Sequence, residues 1–186
     1  TEIGGYNAVN IYKADLREKL KDVPLIDQMN DFNEIIQGGA IGMKGNEFGA
    51  TTGRPRRVGW QDAVALRYAV GINGPKIVIT KLDILTGVKE LKICTGYYYD
   101  GPDNRCVPVF RGKTLDTMIP ENEILQHCRP RYEIFEGWDE DISDVRSYQD
   151  LPRQAREYLT RLENLTGAQI VMIGVGPNRD QTFFVE

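Results

Sequence analysis

Residues 151–166, L-P-R-Q-A-R-E-Y-L-T-R-L-E-N-L-T, constrain the fold more than any other stretch of this 186-residue chain. Leu151, Ala155, Tyr158, Leu159, Leu162 and Leu165 recur at helical spacing and form one apolar stripe that must face a core. Asp150 offers an N-cap, Pro152 falls in the first turn where its missing N–H costs little, and Gly167 supplies a left-handed residue past the end. Directly afterwards Q-I-V-M-I at 169–173 is an apolar run of strand length. A β-branched run, K-I-V-I-T at 76–80, is predicted to be a strand buried on both faces. It follows W-Q-D-A-V-A-L-R-Y-A-V at 60–70, which is apolar nearly all round and predicts a buried helix. Strand and helix alternating in this way predict an α/β fold, a mostly parallel sheet with flanking helices.

An antiparallel hairpin region is expected between these units. Residues 88–99 form one strand, Asp100-Gly101 give a turn signal, and residues 106–110 return. Residues 130–138 form another strand, with Tyr132, Ile134 and Phe135 inward. The tyrosine run Tyr97, Tyr98, Tyr99 is expected as half-buried edge packing rather than a base-stacking surface. Residues 178–186 close the chain as a terminal strand. Near the start, residues 15–21 and 27–37 are short helix candidates, the second stopped by Gly38-Gly39.

Composition excludes several classes. The chain carries 23 basic against 27 acidic side chains, a net charge of −4, which disfavours a general nucleic-acid binder. No apolar run approaches the roughly 18 residues of a membrane span, and no signal peptide is visible. Cys94, Cys106 and Cys128 lack C-x-x-C spacing, so neither a disulfide framework nor a zinc site is suggested, and a reducing cytoplasm fits best. His127 is the sole histidine and has no second ligand or base at a useful spacing; it is expected to be structural or on the surface. The carboxylates Asp139, Glu140, Asp141, Asp144 and Asp150 lack the order of a calcium loop and predict a solvated linker. G-V-G-P-N-R at 174–179 falls one glycine short of a dinucleotide fingerprint and opens no convincing helix.

Two stretches point to chemistry. Residues 45–60, G-N-E-F-G-A-T-T-G-R-P-R-R-V-G-W, gather Thr51, Thr52, flexible Gly49 and Gly53, and the guanidiniums of Arg54, Arg56 and Arg57. Pro55 pushes Arg54 out of the helical region, so the run is extended and Arg54 and Arg56 share a side. Two forks beside hydroxyls and bare amides suit a small molecule rich in carboxylate or phosphate oxygens. A solvated basic loop would use the same letters. The second stretch is Lys81-Leu82-Asp83, at the carboxyl end of the strand at 76–80, where open α/β sheets bind ligands.

G-N-E-F-G-A-T-T-G-R-P-R-R-x-G-W resembles the aspartate-binding loop of the adenylosuccinate synthetase family, GTP-dependent ligases that join IMP to L-aspartate. T-K-L-D at 80–83 resembles the guanine-reading tetrapeptide that this family shares in kind with the small G proteins, and P-R-Y-E…G-W…E-D-I-S…R-x-Y-x-D-L-P continues the likeness. The resemblance implies a P-loop-NTPase-like fold of which residues 45–186 are the C-terminal portion, and an insertion within residues 1–44. It implies that Arg54 and Arg56 clamp the aspartate carboxylates, with Ala50, Thr51, Thr52, Gly53 and Pro55 beside them. Arg54 would also touch IMP, and Arg56 would lie near the GTP phosphates. Lys81, Leu82, Asp83, Gly174, Val175 and Gly176 would hold guanine; where some relatives carry Ser, Gly174 lacks the hydroxyl. The phosphate loop, catalytic residues and Mg²⁺ ligands would belong to an N-terminal portion, so the chain alone is expected to be inactive. A cytoplasmic homodimer is also implied. The alternative is a non-catalytic guanine-nucleotide-binding or assembly module that keeps the fold.

Overall fold

The computed structural model describes residues 20–103 and 109–185. Two short helices come first, α1 (Leu25–Met29) and α2 (Glu34–Lys44). They are followed by β1 (Gln61–Asp62), α3 (Ala63–Asn73), β2 (Lys76–Ile79), β3 (Glu90–Tyr99) and β4 (Thr114–Leu115). The remainder holds α4 (Asn122–Leu125), β5 (Cys128–Glu136), α5 (Arg153–Thr166), β6 (Gln169–Gly174) and β7 (Thr182–Phe184). The fold is α/β with two mixed sheets. In one, β6 is central, with β2 parallel on one side and β7 antiparallel on the other. In the other, β5 runs antiparallel along one edge of β3, while β1 (parallel) and β4 (antiparallel) divide the opposite edge.

Helix α5 holds the core together. Ala155, Tyr158, Leu159 and Leu162 on its stripe, with Leu151 just before it, join Ile170 and Ile173 of β6, Leu91 and Ile93 of β3, Trp60 and Trp138 in one buried cluster. Each fully buried Leu or Ile contributes about 1.5–3 kcal/mol, so this stripe is a large part of what orders both sheets. Gly167 ends the helix at φ +70°, its amide bonding to the Glu163 carbonyl at 2.8 Å. The Glu163 carboxylate then accepts the Ile170 amide at 2.7 Å, tying the end of the helix to the start of β6. The beginning differs from expectation. Pro152 holds the N-cap position, and Asp150 is drawn into a preceding 3₁₀ turn where it accepts from Ser147 Oγ at 2.8 Å.

Other elements depart from the pattern for tertiary reasons. Helix α2 runs through Gly38-Gly39 to Lys44, burying Ile36, Gly38, Ala40, Ile41 and Gly42, and a Cβ on Gly42 would come within 3.2 Å of Val58. Asn33 caps it by accepting from the Ile35 amide. The helix expected from residue 60 starts at Ala63, since Gln61–Asp62 pair with β3 and Asp62 caps the helix by accepting from Val64 and Ala65. Only Ala63 and Val64 of α3 are buried, and Tyr68 and Ile72 are exposed. Strand β2 is buried on one face, not two. Val78 is 50% exposed and stands in register with Met172 and Phe184 on the side of the sheet away from α5. Ile134 points outward at 59% exposure, opposite Lys92, while Phe135 packs edge-on against Tyr158.

Tyr97 and Tyr99 are buried and Tyr98 half-exposed, so this run packs the sheet. His127 is exposed and sits edge-on to Tyr99. Pairing back onto β3 is seen at Thr114–Leu115; residues 106–108 of the expected return and most of the helix expected at 15–21 lie outside the described residues. Among the described residues no helix is long and apolar enough to cross a membrane.

The crossing of the 87–89 and 137–138 segments gives a direct test of the fold. Gly137 donates to the Lys89 carbonyl and Trp138 accepts from Gly87, both at 2.8 Å. A Cβ at position 137 would overlap the Val88 carbonyl, which is backbone and cannot rotate away. Gly137→Ala is expected to cost about 3 kcal/mol, the upper end for inserting one methyl into a packed site. A thermal melt should show this as a fall of roughly 6–12 °C at this chain length.

Candidate functional site

The arginine stretch folds as a tight hairpin standing on the end of α2. Phe48 pairs with Pro55 across it, Gly49 donates to the Arg54 carbonyl and Arg56 to the Glu47 carbonyl, both at 2.8 Å. The tip spans residues 50–53 and closes through Gly53, at φ +62°, donating to the Gly49 carbonyl. Pro55 bridges to Phe48, with Arg54 and Arg56 on either side of it in the returning arm. Ala50, Thr51, Thr52, Arg54 and Arg56 are all exposed. The Arg54 guanidinium makes no hydrogen bond or ion pair among the described residues.

Lys81, Leu82 and Asp83 follow β2 immediately. Leu82 is buried in the main core and pins the 3₁₀ turn Leu82–Leu85. Lys81 adopts a left-handed backbone, φ +59° and ψ +36°, and Asn46 at φ +48° is the other non-glycine residue of this kind among the described residues. Such a conformation costs an ordinary side chain about 1–2 kcal/mol. Both strained residues sit where the two stretches meet. Lys81 Nζ donates to the Gly45 carbonyl at 2.7 Å and to Glu47 Oε1, while Glu47 Oε2 lies 3.5 Å from Arg56 Nη1. Surface ion pairs of this exposure contribute about 0.2–1 kcal/mol, so they at most balance the backbone cost.

Asp83 carries the sharpest local signal. Its Oδ1 is buried and has no hydrogen-bond partner among the described residues. A buried carboxylate oxygen left unpaired is costly and calls for an explanation. Nearby, Lys44 Nζ donates to the Thr86 carbonyl at 2.6 Å. Burial lowers the Lys44 pKa from its ordinary value, and the charges of Asp83 and Asp141 oppose that shift.

Gly174 ends β6 beside the end of β2, since Ile79 pairs with Ile173 in parallel register. The 81–83 and 174–176 stretches therefore share the carboxyl ends of adjacent parallel strands, and Lys81 brings the arginine hairpin to the same corner. The glycine segment is braced from within the chain. The Val175 amide is already used by the Gln181 carbonyl at 2.8 Å, and the space beside Gly176 is filled by the Gln181 carboxamide. That carboxamide accepts from Asn178 N and donates to the Ser143 carbonyl, so Gly176 is small in order to seat it.

Glu47 was not singled out by sequence reasoning, although it lies inside the quoted motif. One acid in a basic run has no periodic signature. Hydrogen bonding from Lys81 holds its carboxyl below the usual range, helped by the Arg56 charge. Among the described residues no three or more His, Cys, Asp or Glu side chains converge on one point.

This corner, two arginines on a hairpin beside a K-L-D turn at the ends of parallel strands, has relatives. The adenylosuccinate synthetase family model matches residues 2–183. The chain belongs to the adenylosuccinate synthetase family. It is 48% identical over 143 residues to the adenylosuccinate synthetase of Trichlorobacter lovleyi, covering 76% of this chain and 31% of that relative. It is 45% identical over 159 residues to the one from Caldanaerobacter subterraneus subsp. tengcongensis, covering 85% and 33%. A fully ligated adenylosuccinate synthetase from Plasmodium falciparum superposes with a TM-score of 0.72 at 38% identity, covering 80% of this chain and 34% of that one. The fold is accordingly the P-loop-NTPase-like fold of the adenylosuccinate synthetases. The chain spans about a third of the length of the relatives it matches.

Proposed function

We propose that this chain is the C-terminal part of a GTP-dependent ligase that joins IMP and L-aspartate, with residues 45–186 supplying the aspartate loop and the guanine site. In this reading the γ-phosphoryl of GTP passes to the 6-oxygen of IMP. The amine of L-aspartate then attacks C6, and phosphate leaves with that oxygen, giving adenylosuccinate and GDP. Mg²⁺ would assist on the phosphates through ligands in the portion of the family that this chain does not span. Arg54 and Arg56 clamp the aspartate carboxylates, with donors from Ala50, Thr51, Thr52 and Gly53 around Pro55. Arg54 also meets IMP, and Arg56 lies toward the GTP phosphates.

Guanine presents N1–H and its 2-amino group side by side, and one carboxylate accepts both. The unpartnered buried Oδ1 of Asp83 is the observation that carries this assignment. Lys81 lays its stem along the flat base while its ammonium stays on the Gly45 carbonyl and Glu47, and Leu82 and the 174–176 segment back the ring. An assembled cytoplasmic homodimer completes the proposal.

Calorimetric titration of the chain with GDP and, separately, ADP tests it. Binding of GDP at least about tenfold tighter than ADP is expected, since adenine offers no N1–H and leaves the carboxylate unpaired. Equal affinities would remove the guanine assignment and favour a module with the fold and no base preference.

A further inference from the structure

Glu47 sits between the two halves of the proposed site, and nothing above gives it a task. Each of its carboxylate oxygens holds a different cation, Lys81 on Oε1 and Arg56 on Oε2. The carboxylate is the sheltered member: the Glu47 side chain is 22% exposed, against 45% for Lys81 and 61% for Arg56. Both cations therefore keep a free side toward solvent, from which a ligand can reach them. The backbone of Glu47 is fixed independently of its side chain, with its amide on the Gly42 carbonyl and its own carbonyl on the Arg56 amide, both at 2.8 Å. Its position is thus set by the end of α2 and by the hairpin, and not by the cations it meets.

We infer that Glu47 is a positioning residue that couples the arginine hairpin to the base-reading turn after β2. The inference rests on the functional reading above for the identity of the ligands, but not for the coupling itself. The two contacts are unequal. The Lys81 pair is short, whereas the Arg56 pair spans 3.5 Å and yields more readily to a competing oxygen. A carboxylate or phosphate that engages Arg56 draws the guanidinium from Glu47. The whole carboxylate charge is then left to Lys81, whose left-handed backbone and bond to the Gly45 carbonyl already hold its stem in place. Filling the hairpin firms the grip on the base, and by linkage filling the base site reorganises the hairpin to the same degree.

A ligand-free mutant cycle followed by amide NMR tests the coupling in the chain itself. Arg56→Ala should displace the amide signals of residues 81–83, and the same substitution should leave them in place when position 47 carries Glu47→Gln. That change keeps the shape and both backbone bonds and removes only the charge. Lys81→Met with Glu47 intact gives the reciprocal reading at the amide of residue 56, and needs no change at position 47. Signals at 81–83 that move equally with Glu or Gln at position 47, or a residue-56 amide indifferent to Lys81→Met, would overturn the inference. With ligands, L-aspartate should tighten GDP binding about fivefold or more in the wild type and leave it unchanged in Glu47→Gln; equal tightening in both also overturns it. A chain that passes the ligand-free cycle yet binds no GDP refutes the functional reading and leaves the role of Glu47 standing.

Discussion

Asp83→Asn is expected to turn the base preference from guanine to xanthine. An amide can donate where the carboxylate accepted, and xanthine carries a carbonyl at C2 where guanine carries the amino group. Each charge-assisted hydrogen bond lost to guanine is worth about 1.5–3 kcal/mol, so GDP affinity should fall at least about tenfold and, with both bonds lost, by about a hundredfold or more. The structure makes this substitution unusually clean. The buried Oδ1 of Asp83 accepts no hydrogen bond among the described residues, so the amide breaks none there, and the charge it removes is one that opposes the lowering of the Lys44 pKa. A loss of GDP binding therefore cannot be blamed on unfolding, which a melt would verify. Titrations of both proteins with GDP and the xanthosine diphosphate give the ratio directly. If GDP remains the tighter ligand of the Asn variant, Asp83 does not read the base.

Where the sequence was informative, a single element carried its own evidence. The stripe from Leu151 to Leu165 and the terminating Gly167 needed no knowledge of neighbours, because spacing and a left-handed stop are local properties. The failures all depend on what lies across a contact. Gly38-Gly39 reads as a stop until Val58 is seen packed against the same helix at Gly42. Val78 looks doubly buried until β2 is found at a sheet edge with one face uncovered by any described residue. Asp150 is a good cap by composition, yet the preceding turn claims it first. The candidate site divides along the same line. Arg54, Arg56, Lys81 and Asp83 were nominated by likeness to a family motif, while Glu47 stood in that motif without a role. Its meaning depends on Lys81, distant in sequence, folding back onto it.

Of the two arginines proposed to clamp aspartate, Arg54 should be the more costly to lose. Arg56 already shares its charge with Glu47, so part of what it offers a ligand replaces an existing contact. The Arg54 guanidinium has no such competitor among the described residues and gives its full fork to an incoming carboxylate. One to two charge-assisted bonds at about 1.5–3 kcal/mol each predict that Arg54→Leu weakens aspartate binding by about tens to thousands-fold. Arg56→Leu should fall at the lower end of that span. Leu keeps much of the stem, and the hairpin's own bonds from Gly49, Gly53 and Arg56 are made by backbone, so stability should move by no more than about 0.5 kcal/mol. The comparison belongs in a protein that joins this chain to the rest of the family's length, read as the KM for aspartate with kcat measured beside it. A raised KM with the melt unchanged assigns the fork to the substrate. An unchanged KM in Arg54→Leu would take the hairpin out of the aspartate site, because no other described group on it presents an uncommitted guanidinium to replace the one removed.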